Sequence, residues 1–135
     1  MRIPDWWKPY LVIKRSGRSG DEAYGVQFLF KYRGKVYTDI FTVSMYSMTR
    51  KQWRDKGYED SPSIVLYGGN GRLFAYYTPE EPPDEFFDNK SKDGFNKKYS
   101  KQLNLLRRMI NDDVPKIAKT FKPANYKPRK IVKAR

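Results

Sequence analysis

The chain has 135 residues, for which one domain is the natural count, with length enough for a real core. It contains no cysteine and no histidine. That excludes disulfide frameworks, zinc fingers, thiol nucleophiles and every mechanism that needs an imidazole base. Net charge is +13 and unevenly spread. Residues 1–60 carry twelve Lys/Arg against seven Asp/Glu, residues 61–115 carry eight of each, and residues 116–135 carry eight basic groups and no acid. A surplus of this size favours polyanionic partners, and an acid-free end block reads as a solvated arm of the kind that binds nucleic acid. Apolar residues make up a low 39%, but eleven Tyr and eight Phe supply burial that a disordered chain lacks.

The opening MRIPDWWKPY lacks an apolar h-region, and no 18-residue apolar run occurs anywhere. An intracellular chain that spans no membrane is expected. Trp6 and Trp7, held between Pro4 and Pro9, read either as a partner-binding lip or as anchors to the core, the commoner role. Residues 10–15 (YLVIKR) read as a first strand, followed by a turn with Gly17 and Gly20. Residues 23–32 form the clearest strand, with Tyr24, Val26, Phe28, Phe30 and Tyr32 on one face and Gly25, Gln27, Leu29 and Lys31 on the other. Arg33 to Lys35 turn the chain, and residues 36–43 return as the hairpin partner. Asp39 interrupts that third strand as an edge residue, a bonded polar group or part of a site.

Residues 49–56 suit a short helix capped by Thr49 or Ser47 and stopped at Gly57. Residues 63–67 and 72–77 are two more strands joined by GGNG, which lacks a following GK[ST] and so reads as a hairpin loop, not a P-loop. A proline- and acid-rich connection spans residues 78–92. Over residues 94–112, Phe95, Tyr99, Leu103, Leu106 and Ile110 recur at steps of four, four, three and four, the period of a helix with one buried stripe. Asp93 is the expected cap and Pro115 the expected stop. Lys97, Lys101, Asn104 and Arg108 fall opposite the stripe, flanked by Lys98 and Arg107. Residues 114–121 add another turn or two of helix. From Lys122 onward Pro123 and Pro128 leave an extended tail.

This order predicts an α+β domain over residues 1–121: a mainly antiparallel sheet of about five strands, with the long amphipathic C-terminal helix packed on one face. A basic extended tail over residues 122–135 follows. A five-stranded Greek-key barrel of the OB type has a comparable strand count and stands as the alternative.

Two constellations carry chemistry. Phosphate contacts call for Lys and Arg, and exposed aromatic rings stack on unpaired bases. Arg15, Arg18, Lys31, Arg33 and Lys35 are expected to cluster at strand ends near Tyr24, Tyr32 and Tyr37. Arg50 with its neighbours lies on the short helix; Lys97, Lys98, Lys101, Arg107 and Arg108 lie on the long one; Lys127, Arg129 and Lys130 belong to the arm. The second constellation is TPEEPPDEFFD, five carboxylates in nine residues. Such a set can hold Mg²⁺ beside a phosphodiester and support attack by water, with Glu85 as the essential carboxylate and Asp84, Asp88 and Asp39 supporting. The competing reading is a helix start: Thr78 to Glu81 has the letters of a capping box, acids suit a first turn, and Phe86 and Phe87 would pin it. Pro83-Asp84 and Asp88-Asn89-Lys90 share letters with the PD-(D/E)xK nuclease pattern, but the separation is too short.

In overall character, rich in Tyr, Lys and Arg and free of Cys, the chain resembles the small orphan proteins of filamentous viruses that infect hyperthermophilic archaea. The resemblance is compositional and transfers no residue roles. It implies an unusual α+β fold, DNA as partner ahead of RNA, nuclease activity as an accessory, and the host cytoplasm as location. The leading expectation is a DNA-binding protein with little base specificity and no cofactor needed for binding. Beside it stand a Mg²⁺-dependent nuclease and a virion or ribonucleoprotein component. The oligomeric state is left open, a dimer included.

Overall fold

The computed structural model describes residues 1–123, so Lys127, Arg129 and Lys130 of the expected arm lie outside the described residues. Five strands, β1 (Leu11–Ser16), β2 (Glu22–Tyr32), β3 (Lys35–Tyr46), β4 (Ile64–Gly69) and β5 (Arg72–Tyr77), form one antiparallel sheet in the order β1-β2-β3-β5-β4. With α1 (Arg50–Asp55) and a C-terminal helix, the protein is α+β. The sheet is open, with β1 and β4 at its two edges, so the barrel alternative does not apply.

Two hairpin turns fix the register. Arg33 and Gly34 have φ of 50° and 81°, and Asn70 and Gly71 have φ of 55° and 73°. Paired left-handed residues give the turn whose twist matches the flanking strands. The second turn is therefore Asn70-Gly71 alone, with Gly68 and Gly69 inside β4. β3 does not break at Asp39. It bulges beside it, with Phe28 opposite Phe41 and Leu29 opposite Asp39, so that Ile40 is the extra residue.

α1 begins with a capping box. The Gln52 N–H donates to Thr49 Oγ1 at 3.1 Å, and the Thr49 N–H donates to Gln52 Oε1 at 2.8 Å. Its Trp53 packs with Met48, Leu73 and Ala75 in a small core on one side of the sheet.

The larger core lies on the other side, where Phe28, Phe30, Phe41 and Val43 meet Leu103, Leu106, Met109, Val114 and Ile117 of the C-terminal helix. That helix runs 23 residues without a break: a 3₁₀ turn at Lys97–Tyr99, α2 (Ser100–Arg107), a π-helical stretch at Arg108–Asp113, and α3 (Val114–Lys119). Two expectations are corrected here. Asp93 is not the cap. Its Oδ1 accepts from the Phe95 N–H and the Ser91 hydroxyl, which hold its pKa below the usual value, and Asn96 caps instead by accepting from the Lys98 N–H at 3.0 Å. Nor does Pro115 stop the helix. A proline inside a helix lacks an N–H and crowds the carbonyl four residues back; the wider π turn immediately before it makes room, and the helix continues.

The leader is anchored by chemistry that periodicity does not report. Trp7 is fully buried, and the indole N–H groups of Trp6 and Trp7 both donate to Asp113 Oδ2 at 2.8 Å. Asp113 ends the π stretch.

Thr42, in the middle of β3, is 4% exposed and its hydroxyl has no hydrogen-bond partner among the described residues. A buried unpaired hydroxyl costs about 1–3 kcal/mol. Thr42→Val is therefore expected to stabilise the fold by up to about 1 kcal/mol, read as a higher urea midpoint at unchanged m-value.

Candidate nucleic-acid interface

The β2–β3 turn and the start of the C-terminal helix meet at one end of the sheet. The Arg33 guanidinium lies 5.4 Å from the Tyr32 ring centroid, and Tyr32 stacks on Tyr10. Lys35 Nζ sits 4.8 Å from the centre of the Tyr37 ring. Tyr37 packs edge-on against Tyr99, at 6.1 Å, and Lys98 Nζ lies 5.6 Å over Tyr99. Phe86, fully buried, stacks on Tyr99 at 5.2 Å and touches Tyr37, closing the ring cluster from below. Arg33, Lys35, Lys97 and Lys98 are all exposed. Aromatic faces attract these cations and limit their spread without neutralising them.

Lys35 has a carboxylate partner, since its Nζ is 2.8 Å from Glu85 Oε2. That hydrogen bond is the main reason the Lys35 pKa is raised. Both groups are well exposed, and such a pair is held only weakly. The other ion pairs between described residues are Lys51–Asp55 and Lys56–Asp21, away from this end.

Of the remaining expected cations, Arg15 and Arg18 fall elsewhere. Antiparallel pairing sets Arg15 opposite Val26, five positions from Lys31 on β2, a separation of about 17 Å. Arg15 and Arg18 therefore lie toward the opposite end of the strands from Arg33 and Lys35, and the single strand-end cluster becomes two. Tyr24, at the Arg15 end, is exposed. The stem of Arg50 crosses Gly68 so closely that a β-carbon there would sit 2.8 Å from it, which ties α1 to β4. Lys101 is exposed on the outer side of α2. Arg107 and Arg108 part company: Arg107 lies 4.8 Å over Phe95 and Arg108 4.2 Å over Trp6.

The acidic connection forms no capping box at Thr78, but after Pro83 it makes a short helical turn with Asp84 and Glu85 in it. Residues 78–83 are not helical, because Pro79, Pro82 and Pro83 leave no run of free N–H groups. Asp84–Phe86 makes one 3₁₀ turn. Glu85 bonds Lys35, and Asp88 Oδ1 accepts from the Lys90 N–H at 2.9 Å. Phe86 is pinned as expected, whereas Phe87 is exposed and stacks on Phe95. Glu80 and Glu81 border a cleft of about 210 Å³ with Phe95, Leu106, Arg107 and Ile110. Among the described residues no group of three or more acids converges to hold a metal ion.

Tyr99 has a role the sequence did not report. It packs against the core as the period expects, and in addition it forms the joint between the two cationic elements. No helix among the described residues is long and apolar enough to cross a membrane. No family model, curated protein or solved structure matches the chain.

Proposed function

We infer that this protein binds nucleic acid, DNA foremost, through the phosphate backbone and with little base specificity. One observation carries the reading: Arg33 occupies a left-handed turn position, where glycine and asparagine are at ease and arginine is not. The same chain uses the favoured Asn-Gly pair at its other tight hairpin. A local preference broken at one turn and kept at the other points to a use for the side chain. Arg33 places a cation at the tip, with Lys35 behind it and Lys97 and Lys98 across the Tyr37–Tyr99 joint. Lys101 and Arg108 lead along the helix, and the residues beyond 123 add further positive charge.

Arg33→Asn separates the two roles. Relaxing the turn is expected to raise the urea midpoint slightly, while loss of the cation lowers affinity for a labelled 20-base-pair duplex severalfold at low salt. A variant with unchanged affinity would remove the tip from the interface. The same preparation, incubated with linear plasmid with and without Mg²⁺, addresses the nuclease reading. Cleavage that persists after repurification and disappears in Glu85→Ala would establish it.

A further inference from the structure

The part of the sheet that α1 leaves uncovered presents a second surface, on the side away from the C-terminal helix. Alternation along β1 and β2 puts Val12 and Lys14 beside Gln27, Leu29 and Lys31 on that side. Pairing of Gln27 with Thr42, and of Thr42 with Tyr77, carries the surface across β3 to β5. Val12, Leu29 and Tyr77 belong to neither core among the described residues, and Tyr77 keeps 37% of its surface exposed. Lys14 and Lys31 form no ion pair with a described residue. Asp39, opposite Leu29, adds an acceptor.

We propose that this face takes single-stranded DNA, with Lys14 and Lys31 on separate backbone phosphates, Tyr77 stacked on one base, and Gln27 and Asp39 offered to base edges. The proposal rests on the nucleic-acid reading above and adds the strand state and the surface. An exposed ring on an open sheet flanked by lysines suits an unpaired base with its own phosphates. A duplex keeps its base faces stacked inside and has nothing to lay on Tyr77. A second copy of the chain would bring lysine against lysine across the same face, so charge complementarity favours the polyanion.

The test is anisotropy of the full chain with a labelled DNA strand, its duplex and the matching RNA strand, at one low salt concentration. Tyr77→Ala is expected to weaken the DNA strand roughly 5- to 100-fold and the duplex less than twofold. Tyr77→Phe, which keeps the ring, is expected to retain strand affinity. Equal loss for strand and duplex would mean a general perturbation and overturn the proposal. So would no loss at all, the outcome if a second copy or another part of the chain covers the face, and so would RNA bound tenfold more tightly than DNA. In these cases duplex binding by the parent protein leaves the nucleic-acid reading standing. A parent that binds none of the three ends both.

Discussion

Affinity for duplex DNA is expected to fall roughly 10³- to 10⁵-fold between 50 and 200 mM salt, the effect of neutralising some six to ten phosphates. The cations for such a count are present. Arg33, Lys35, Lys97 and Lys98 converge at one end of the sheet, and Lys101 and Arg108 extend the row along the helix. Each phosphate contact releases condensed counterions, and that release weakens as bulk salt rises, so the logarithm of affinity falls in proportion to the number of contacts. Of these six cations, Lys35 alone is paired with a described carboxylate, and that exposed pair is held only weakly. Anisotropy at four or five salt concentrations gives the slope directly. A fall of less than tenfold would mean that phosphate contacts are few, whatever the net charge.

Trp7→Ala is expected to destabilise the fold by about 3–5 kcal/mol, the range for deleting a large buried aromatic side chain. Trp7 is fully buried, meets Phe41 edge-on at 6.1 Å, and donates its indole N–H to Asp113. Removing it leaves a cavity beneath the leader and strips Asp113 of one of its two donors. Asp113→Ala tests the polar half of the same clamp. It leaves the Trp7 N–H buried without an acceptor, at a cost of roughly 1–3 kcal/mol. Urea unfolding of both variants checks the pair, and a Trp7→Ala loss below about 1 kcal/mol would show that the leader is not integral to the core.

The strands were legible because β-branched and aromatic residues alternate over a background rich in turn formers. Residues 72–77 come out with the bounds expected. The helix period was legible from Tyr99 to Ile110, where Leu103 and Leu106 are buried and Lys101 and Arg108 exposed. Phe95, counted in the same stripe, precedes the helix and bridges to Phe87. The ends of the helix were not legible. The fate of Pro115 depends on whether the preceding turn can widen, and that is decided by what Asp113 and Met109 gain by packing, 106 and more residues away from the tryptophans that Asp113 bonds. Asp93 has the letters of a cap but is drawn into a turn with Ser91 and Phe95. At the candidate site the residue types were visible and their grouping was not. Arg15 and Arg33 look alike along the chain, and only the antiparallel register sends them to opposite ends. The joint through Tyr99 and the role of Glu85 as a partner of Lys35 depend on contacts that cross 50 or more residues.

The most direct test compares two variants of equal net charge: one lacks Arg33, Lys97 and Lys98, the other Lys8, Arg54 and Lys116, all six exposed and all replaced by Ala. If placement decides binding, the first set lowers duplex affinity at least tenfold more than the second and flattens the salt slope by about 2–3. Equal losses from the two sets would show that total charge alone attracts the DNA, with no interface at the sheet end.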